Sequence, residues 1–321
     1  MTTTVVLPGD HTVRSPELQD AEAIFGLRSA HNTAVVGFAD CTLDEVAGEI
    51  VDPGFDLGTD GWLVLDRDGL PAGYAYTFGK GNREIVEIEV TSQNPAVAAW
   101  LFEQTMRRAR EMGRERGHAE ITVDSTIYRA DEPLRALLSG HDFVVGTTYH
   151  QMRIDHTGPV ATPEVPAGVV VRRGTFDAAS RWIAHEVLID SFRGQFGFVP
   201  RPHDEWVTAL DARANFDWSQ LTLLEIDGKA VAIRMCSDAH IEQGNLGHVG
   251  MLGVLKEFRG RGLARFLLRD AFALDAAAGR TGTTLYVDTN NPTPALGLYL
   301  SAGMTPTLVL DGWRRHVLPT Y

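Results

Sequence analysis

Two stretches of the chain carry the same alternation of apolar and polar residues. They are "GWLVLDRDGLPAGYAYTFG", from Gly61, and "QLTLLEIDGKAVAIRMCSD", from Gln220. A two-residue period predicts a strand with one covered face. The pairs Asp68-Gly69 and Asp227-Gly228 interrupt the alternation, so each stretch predicts a hairpin. The surrounding order repeats as well. A short strand-like piece ("HTVRS"; "VVVRRG") and an amphipathic helix pattern precede each hairpin. A strand follows, ending at Val90 or Val254, and then a helix ("AVAAWLFEQTMRRARE"; "GLARFLLRDAFALDAAA") and another strand ("AEITVDST"; "TTLYVDTN"). Val90 and Val254 are 164 residues apart, as are Asp124 and Asp288. A period this long implies duplicated domains rather than a solenoid.

The proline-rich segment "DHTGPVATPEVPAG", Asp155 to Gly168, shows little periodicity and separates the halves. The expected organisation is therefore a first domain over 1–156, a linker over 157–168 and a second domain over 169–321. Strands and helices mix in both halves, which places the chain in the α/β (α+β) class with a mixed sheet. A chain of 321 residues suits two domains.

Charge narrows the partners. A net charge of −13 disfavours general binding to nucleic acid, whose phosphates it would repel. It favours a cationic substrate such as an amine only weakly. No apolar run is long enough to span a bilayer, and the start lacks a basic region followed by an apolar one, so neither membrane nor export is expected. The two cysteines, Cys41 and Cys236, lie far apart and fit a reducing cytoplasm without disulfides. The histidines show no paired metal-ligand spacing, so no metal is expected.

The most informative stretch is "LGVLKEFRGRGLARFLL". It reads as a strand, a basic turn and a helix. Glycine weakens a helix start, so its presence there needs a reason. The first N–H groups of a helix have no partner within it, and its dipole presents a positive end. Gly260 and Gly262 would let a bulky anion approach the backbone, with Arg259 and Arg261 adding charge. The segment predicts a diphosphate cradle. The spacing of a Walker loop and that of G-x-G-x-x-G are both absent.

The pattern Arg259-x-x-Gly262-x-Ala264 after Leu252-Gly253-Val254 resembles the acyl-CoA signature of the GCN5-related N-acetyltransferases (GNAT). The later stretch "YVDTNNPTPALGLYLSAGM" is similar to that family's second signature, with Asn290 or Asn291, Ala295, Leu298-Tyr299, Gly303 and Met304 in its places. The order across both halves resembles tandem-domain members. The resemblance implies two GNAT folds in series, each a largely antiparallel sheet flanked by helices. It also implies acetyl-CoA as co-substrate and direct transfer to a primary amine of a small molecule in a ternary complex. The implied cofactor residues are Leu252, Gly253, Val254, Arg259, Gly260, Arg261, Gly262, Leu263, Ala264, Arg265, Asn290 and Asn291.

Three chemical needs follow. A backbone N–H near Val254 would hold the developing oxyanion. Tyr299, at the position of the family's acid tyrosine, would serve the departing thiolate. A base would take the amine's proton, and His248 is the candidate, since a two-residue period puts it on one face with Gly250, Leu252 and Val254. The same position equally suits a histidine that only packs.

The first half lacks these parts. The 164-residue offset aligns Arg259, Gly260, Arg261 and Gly262 with Pro95, Ala96, Val97 and Ala98, and matching Phe143 to Met304 puts Leu138 where Tyr299 stands. The first domain is therefore expected to be degenerate, with catalysis in the second. Substrate contacts are expected from Phe192, Phe196, Phe198, Asp204 and Glu205. The oligomeric reading is a monomer or homodimer. Two other functions fit the same motifs: a non-catalytic CoA sensor or scaffold, and acetylation of a protein amine.

Overall fold

The computed structural model describes residues 5–174, 176–291 and 293–319. The chain forms two compact units, Met1–Thr148 with Leu310–Tyr321, and Tyr149–Val309. Up to the linker the elements are β1 (Thr12–Arg14), α1 (Ala21–Val36), α2 (Leu43–Ile50), α3 (Leu57–Asp60), β2 (Gly61–Leu65), β3 (Pro71–Lys80) and β4 (Ile85–Thr91). Then come α4 (Pro95–Glu115), β5 (Ile121–Tyr128), α5 (Glu132–Gly140) and β6 (Val144–Asp155). Past it lie β7 (Val169–Arg173), α6 (Ala178–Phe192), α7 (His203–Asp211), β8 (Leu221–Ile226), β9 (Lys229–Ser237) and β10 (Leu246–Val254). α8 (Leu263–Ala277), β11 (Gly282–Asp288), α9 (Ala295–Ser301) and β12 (Thr305–Val317) complete the chain.

Both expected hairpins form. Asp227 and Gly228 take positive φ (51° and 76°), the conformation a two-residue turn between twisted strands requires. Strands in the first unit run β1-β2-β3-β4-β5, and β5 then pairs with residues 310–317 of β12. In the second unit the order is β6-β11-β10-β9-β8-β7. The neighbours β4–β5 and β10–β11 are parallel, while the hairpins and the closing strands are antiparallel. Each sheet is thus mixed and largely antiparallel, as the α/β reading requires.

The compact units depart from chain order at two places. Residues 149–155 pair along β11 in the second unit, and residues 310–317 pair along β5 in the first. The boundaries at 156 and 169 follow the repeat as written along the chain. Closure of each sheet instead borrows a strand from the other half, a non-local pairing that no local pattern encodes.

The second unit's sheet is covered on both faces. Val249, Leu252 and Val254 of β10 pack with Leu263, Phe266 and Leu268 of α8. Met251 packs with Val187, Leu188 and Phe192 of α6. α8 is also anchored through a buried ion pair. Arg234, 2% exposed, donates to Asp270 (2.7 Å), to the Leu267 carbonyl (2.8 Å) and to Thr222 (2.9 Å). Removing one member of such a pair strands the other's charge. The network fixes the helix whose N-terminus forms the site.

Candidate active site

β10 and β11 pair in parallel from Leu246–Gly282 to Val249–Leu285. Beyond that point β10 bulges, and the strands diverge. The wedge opens into a groove of about 690 Å³, within the range of small-molecule sites. Its walls come from the ends of β10 and β11, the turn before α8, α9 and the end of α6.

The turn has the predicted form. Gly260 and Gly262 both hold left-handed backbone (φ 77° and 79°), and nothing lies within 4 Å of where a Cβ would stand on either. Gly262 is the N-cap of α8, and no side chain caps it. The first-turn N–H groups therefore have no capping side chain, and a side chain at Gly262 would enter the open space before the helix. This arrangement fits a diphosphate: glycine backbone, exposed donors and the positive helix end. Leu263 and Ala264 line the groove, and Arg265 reaches across it to Ser301 (3.2 Å).

Arg259 departs from the expected role. Its guanidinium donates to the carbonyls of Val254 (3.1 Å) and Ser191 (3.4 Å), bracing the end of β10 against α6. Arg261 is exposed, with its guanidinium 5.0 Å from the centre of the Phe258 ring. Leu252, Gly253 and Val254 all line the groove. A Cβ on Gly253 would stand 2.6 Å from Ser191 Cβ, so glycine here allows α6 to pack close. Of the two asparagines, Asn291 lines the groove and its Oδ1 accepts from Thr293 N (2.9 Å) and Oγ1 (2.7 Å). Asn290 is exposed and does not line it.

Tyr299 lies on the α9 wall, 7% exposed, packed in the cluster that holds Leu285 and Val287. Burial pushes its phenol up to about 12. The hydroxyl therefore keeps its proton at neutral pH.

The bulge alters the position of His248. Val249 pairs with Cys236 and Met251 with Met235, so Gly250 has no partner across the ladder. An unpaired residue reverses the alternation beyond it. His248 consequently shares a face with Met251 and Gly253, not with Leu252 and Val254 as uninterrupted alternation predicts. It does not line the groove. Its ring lies 4.7 Å from that of His240, and Nδ1 is 3.3 Å from Thr284 Oγ1. Desolvation in this corner, helped by His240, pushes its pKa down to about 3.

The expected substrate residues divide. Phe192 lines the groove and packs on Phe198, with ring centres 5.7 Å apart. Phe196 and Phe198 are half-buried outside the lining. Asp204 and Glu205 are exposed in the first turn of α7, where acidic residues complement the helix dipole. Sequence reasoning missed Tyr149, Gln195, Met251, Tyr286 and Asp288, all in the lining. Tyr149 arrives on the borrowed strand and carries no local signal. Asp288 was visible as a repeat position, though not as a wall of the site.

The first unit's counterpart of this turn is capped by its own side chain. α4 begins at Pro95, the position aligned with Arg259, whereas α8 begins only at Leu263. Asn94 Oδ1 accepts from Ala96 N (3.0 Å) and Val97 N (3.4 Å), and Pro95 has no N–H to offer. Leu138 is buried in the core. A cavity of about 310 Å³ at the ends of β4 and β5 is lined by Asp40, Glu45, Glu49, Glu89 and Asp131 along with Arg28 and His31, so carboxylates outnumber basic groups there. Among the described residues no group of three or more His, Cys, Asp or Glu is placed to hold a metal. Among them, too, no helix is long and apolar enough to cross a membrane.

Residues 185–304 match the model of the acetyltransferase (GNAT) family. The whole chain is similar to the GCN5-related N-acetyltransferase from Sphaerobacter thermophilus, at 24% identity and a TM-score of 0.78 over 97% of both chains. It is also similar to a tandem GNAT protein from the clavulanic acid biosynthesis pathway, at 14% identity and a TM-score of 0.69 over 95% of this chain and 98% of that one. A third likeness is to Saccharomyces cerevisiae N-myristoyltransferase with bound myristoyl-CoA, at 11% identity and a TM-score of 0.65, covering 98% and 80%. No curated protein matches. The chain is an acyltransferase with the tandem GNAT fold, and the family match within its second unit supports acetyl-CoA-dependent acetyl transfer.

Proposed function

We propose that the second unit transfers an acetyl group from acetyl-CoA directly to a primary amine of a small molecule. The observation that carries this reading is the coincidence of an uncapped helix N-terminus and a buried tyrosine on the walls of one groove. The uncapped amides from Leu263 to Arg265 would hold the diphosphate, with the exposed Arg261 beside them. Acetyl-CoA supplies an activated thioester. The diverging strands leave room for the thioester and an incoming amine to meet. Tyr299, protonated at neutral pH, would donate a hydrogen bond to the departing sulfur.

His248 is not assigned the role of base in this scheme. It lies off the groove, and a pKa near 3 makes it a poor proton acceptor. The amine would lose its proton to solvent in the open groove. The lining of Phe192, Met251 and Tyr286 beside Asp288 suits an acceptor with an apolar body and an ammonium group. Incubation with acetyl-CoA and a panel of small amines, followed by free thiol, tests the reading. Amine-dependent thiol release supports it. Tight CoA binding without release for any amine would favour a sensor, and release only with peptide amines would move the acceptor to protein.

A further inference from the structure

A third, smaller cavity lies wholly in the first unit, between α2, the α2–α3 loop and the strands β3 and β4. It measures about 120 Å³ and is lined by Glu49, Asp52, Phe55, Tyr74, Tyr76 and Phe78, with Glu87 at its edge. Its walls are aromatic rings and carboxylates. The Tyr74 and Tyr76 rings already accept one cation, the buried Arg28 guanidinium, at 5.5 and 5.8 Å from their centres. Arg28 is itself held by Glu49 (2.7 Å) and Glu89 (2.8 Å), and Lys80 pairs with Glu87 (2.7 Å). Around the cavity these two cations face three carboxylates, Glu49, Glu87 and Glu89, and burial together with the charge of Glu89 pushes Glu49 up to about 7, so a further cation there is favoured.

Of the buried polar atoms here without a hydrogen-bond partner, Arg28 Nε and Nη2 and Glu49 Oε2 belong to residues of the ion pairs, and the Tyr74 hydroxyl does not. Tyr74 is 1% exposed, and among the described residues its hydroxyl has no hydrogen-bond partner. A buried hydroxyl without a partner is costly, and a fold rarely keeps one without a reason. An ammonium N–H donated to this oxygen would satisfy it. The rings and carboxylates would hold the charge. A cavity of about 150 Å³ accepts benzene, so this one has room for an ammonium head with a few carbons.

We propose that this cavity is a binding site for the ammonium head of a small organic amine, separate from the acetyl-transfer groove. The anionic phosphates of CoA do not suit it. A metal ion does not suit it either, because half of its wall is aromatic.

The test is an NMR titration of the full chain with methylammonium chloride at constant ionic strength, following the backbone amides of Tyr74 and Tyr76. Saturable shifts are expected in the wild type. Tetramethylammonium, which has no N–H to donate, should bind more weakly. Tyr74→Phe removes only the orphan hydroxyl. It should weaken methylammonium binding by about tenfold, one hydrogen bond's worth, while leaving the melting temperature equal or higher. Glu49→Gln should weaken binding as well. Linear, non-saturating shifts in the wild type would overturn the proposal, and so would unchanged affinity in Tyr74→Phe. The readout sits on first-unit residues and needs no turnover, so its failure leaves the acetyl-transfer reading untouched.

Discussion

The turn before α8 and the turn before α4 occupy the same place in two copies of one fold, yet their backbone donors have opposite fates. Before α8, two glycines in left-handed conformation end in an uncapped helix whose amides point outward. Before α4, the helix starts at the position aligned with Arg259, a proline removes one donor and Asn94 takes two more. A cap of this kind contributes about 1 kcal/mol to a helix. The second unit forgoes that gain and leaves its donors available, as the proposed anion site requires; the first takes the gain and spends them. The sheet and its parallel pair survive in both. The comparison teaches that the fold does not depend on the cradle, so glycines kept at the cradle mark function.

The largest effect should come from Tyr299. Tyr299→Phe is expected to lower kcat by about 100-fold or more while leaving CoA affinity within about twofold, because the hydroxyl acts on the departing sulfur. Steady-state rates and a CoA titration check this together, and an unchanged kcat would remove Tyr299 from the chemistry. Next is Gly262→Val, which puts a β-branched residue at positive φ and fills the space before the helix. CoA affinity should fall by about tenfold or more. The reciprocal change, Asn94→Ala, should cost about 1 kcal/mol in urea unfolding and leave CoA affinity alone. Weaker CoA binding in that variant would mean that the first unit's turn also takes the diphosphate.

The smallest effect concerns His248. Its folded pKa, about 3, lies below the ordinary histidine value near 6.5. Between those values the unfolded chain binds a proton that the folded chain refuses, so this residue lowers stability as pH falls through that window. His248→Gln should therefore lose less stability than the wild type between pH 7 and pH 5. It should also leave the shape of the rate profile above pH 6 unchanged. Loss of the rising, acid-side limb of that profile would return His248 to the mechanism.

Much of this contrast was legible in the sequence because it is local. The Asp-Gly hairpins, the strand–turn–helix around Gly262 and the loss of glycine after Asn94 all lie within short windows. The parts that were not legible depend on partners far along the chain. The bulge at Gly250 shows only against β9, and it moves His248 off the expected face. Tyr149 reaches the groove on a strand borrowed from before the linker. Arg259 was read as an anion ligand from its charge, yet it is committed to two carbonyls whose positions no motif encodes. Asp204 and Glu205 were read from charge as well, and their place on an exposed first turn explains them without a ligand.

The most direct measurement is a crystal structure of the protein grown with CoA. The account predicts a diphosphate within hydrogen-bond reach of the amides from Leu263 to Arg265, with the thiol end directed toward Tyr299. A diphosphate seated at the first unit's turn beside Asn94, with the α8 amides facing only solvent, would contradict it.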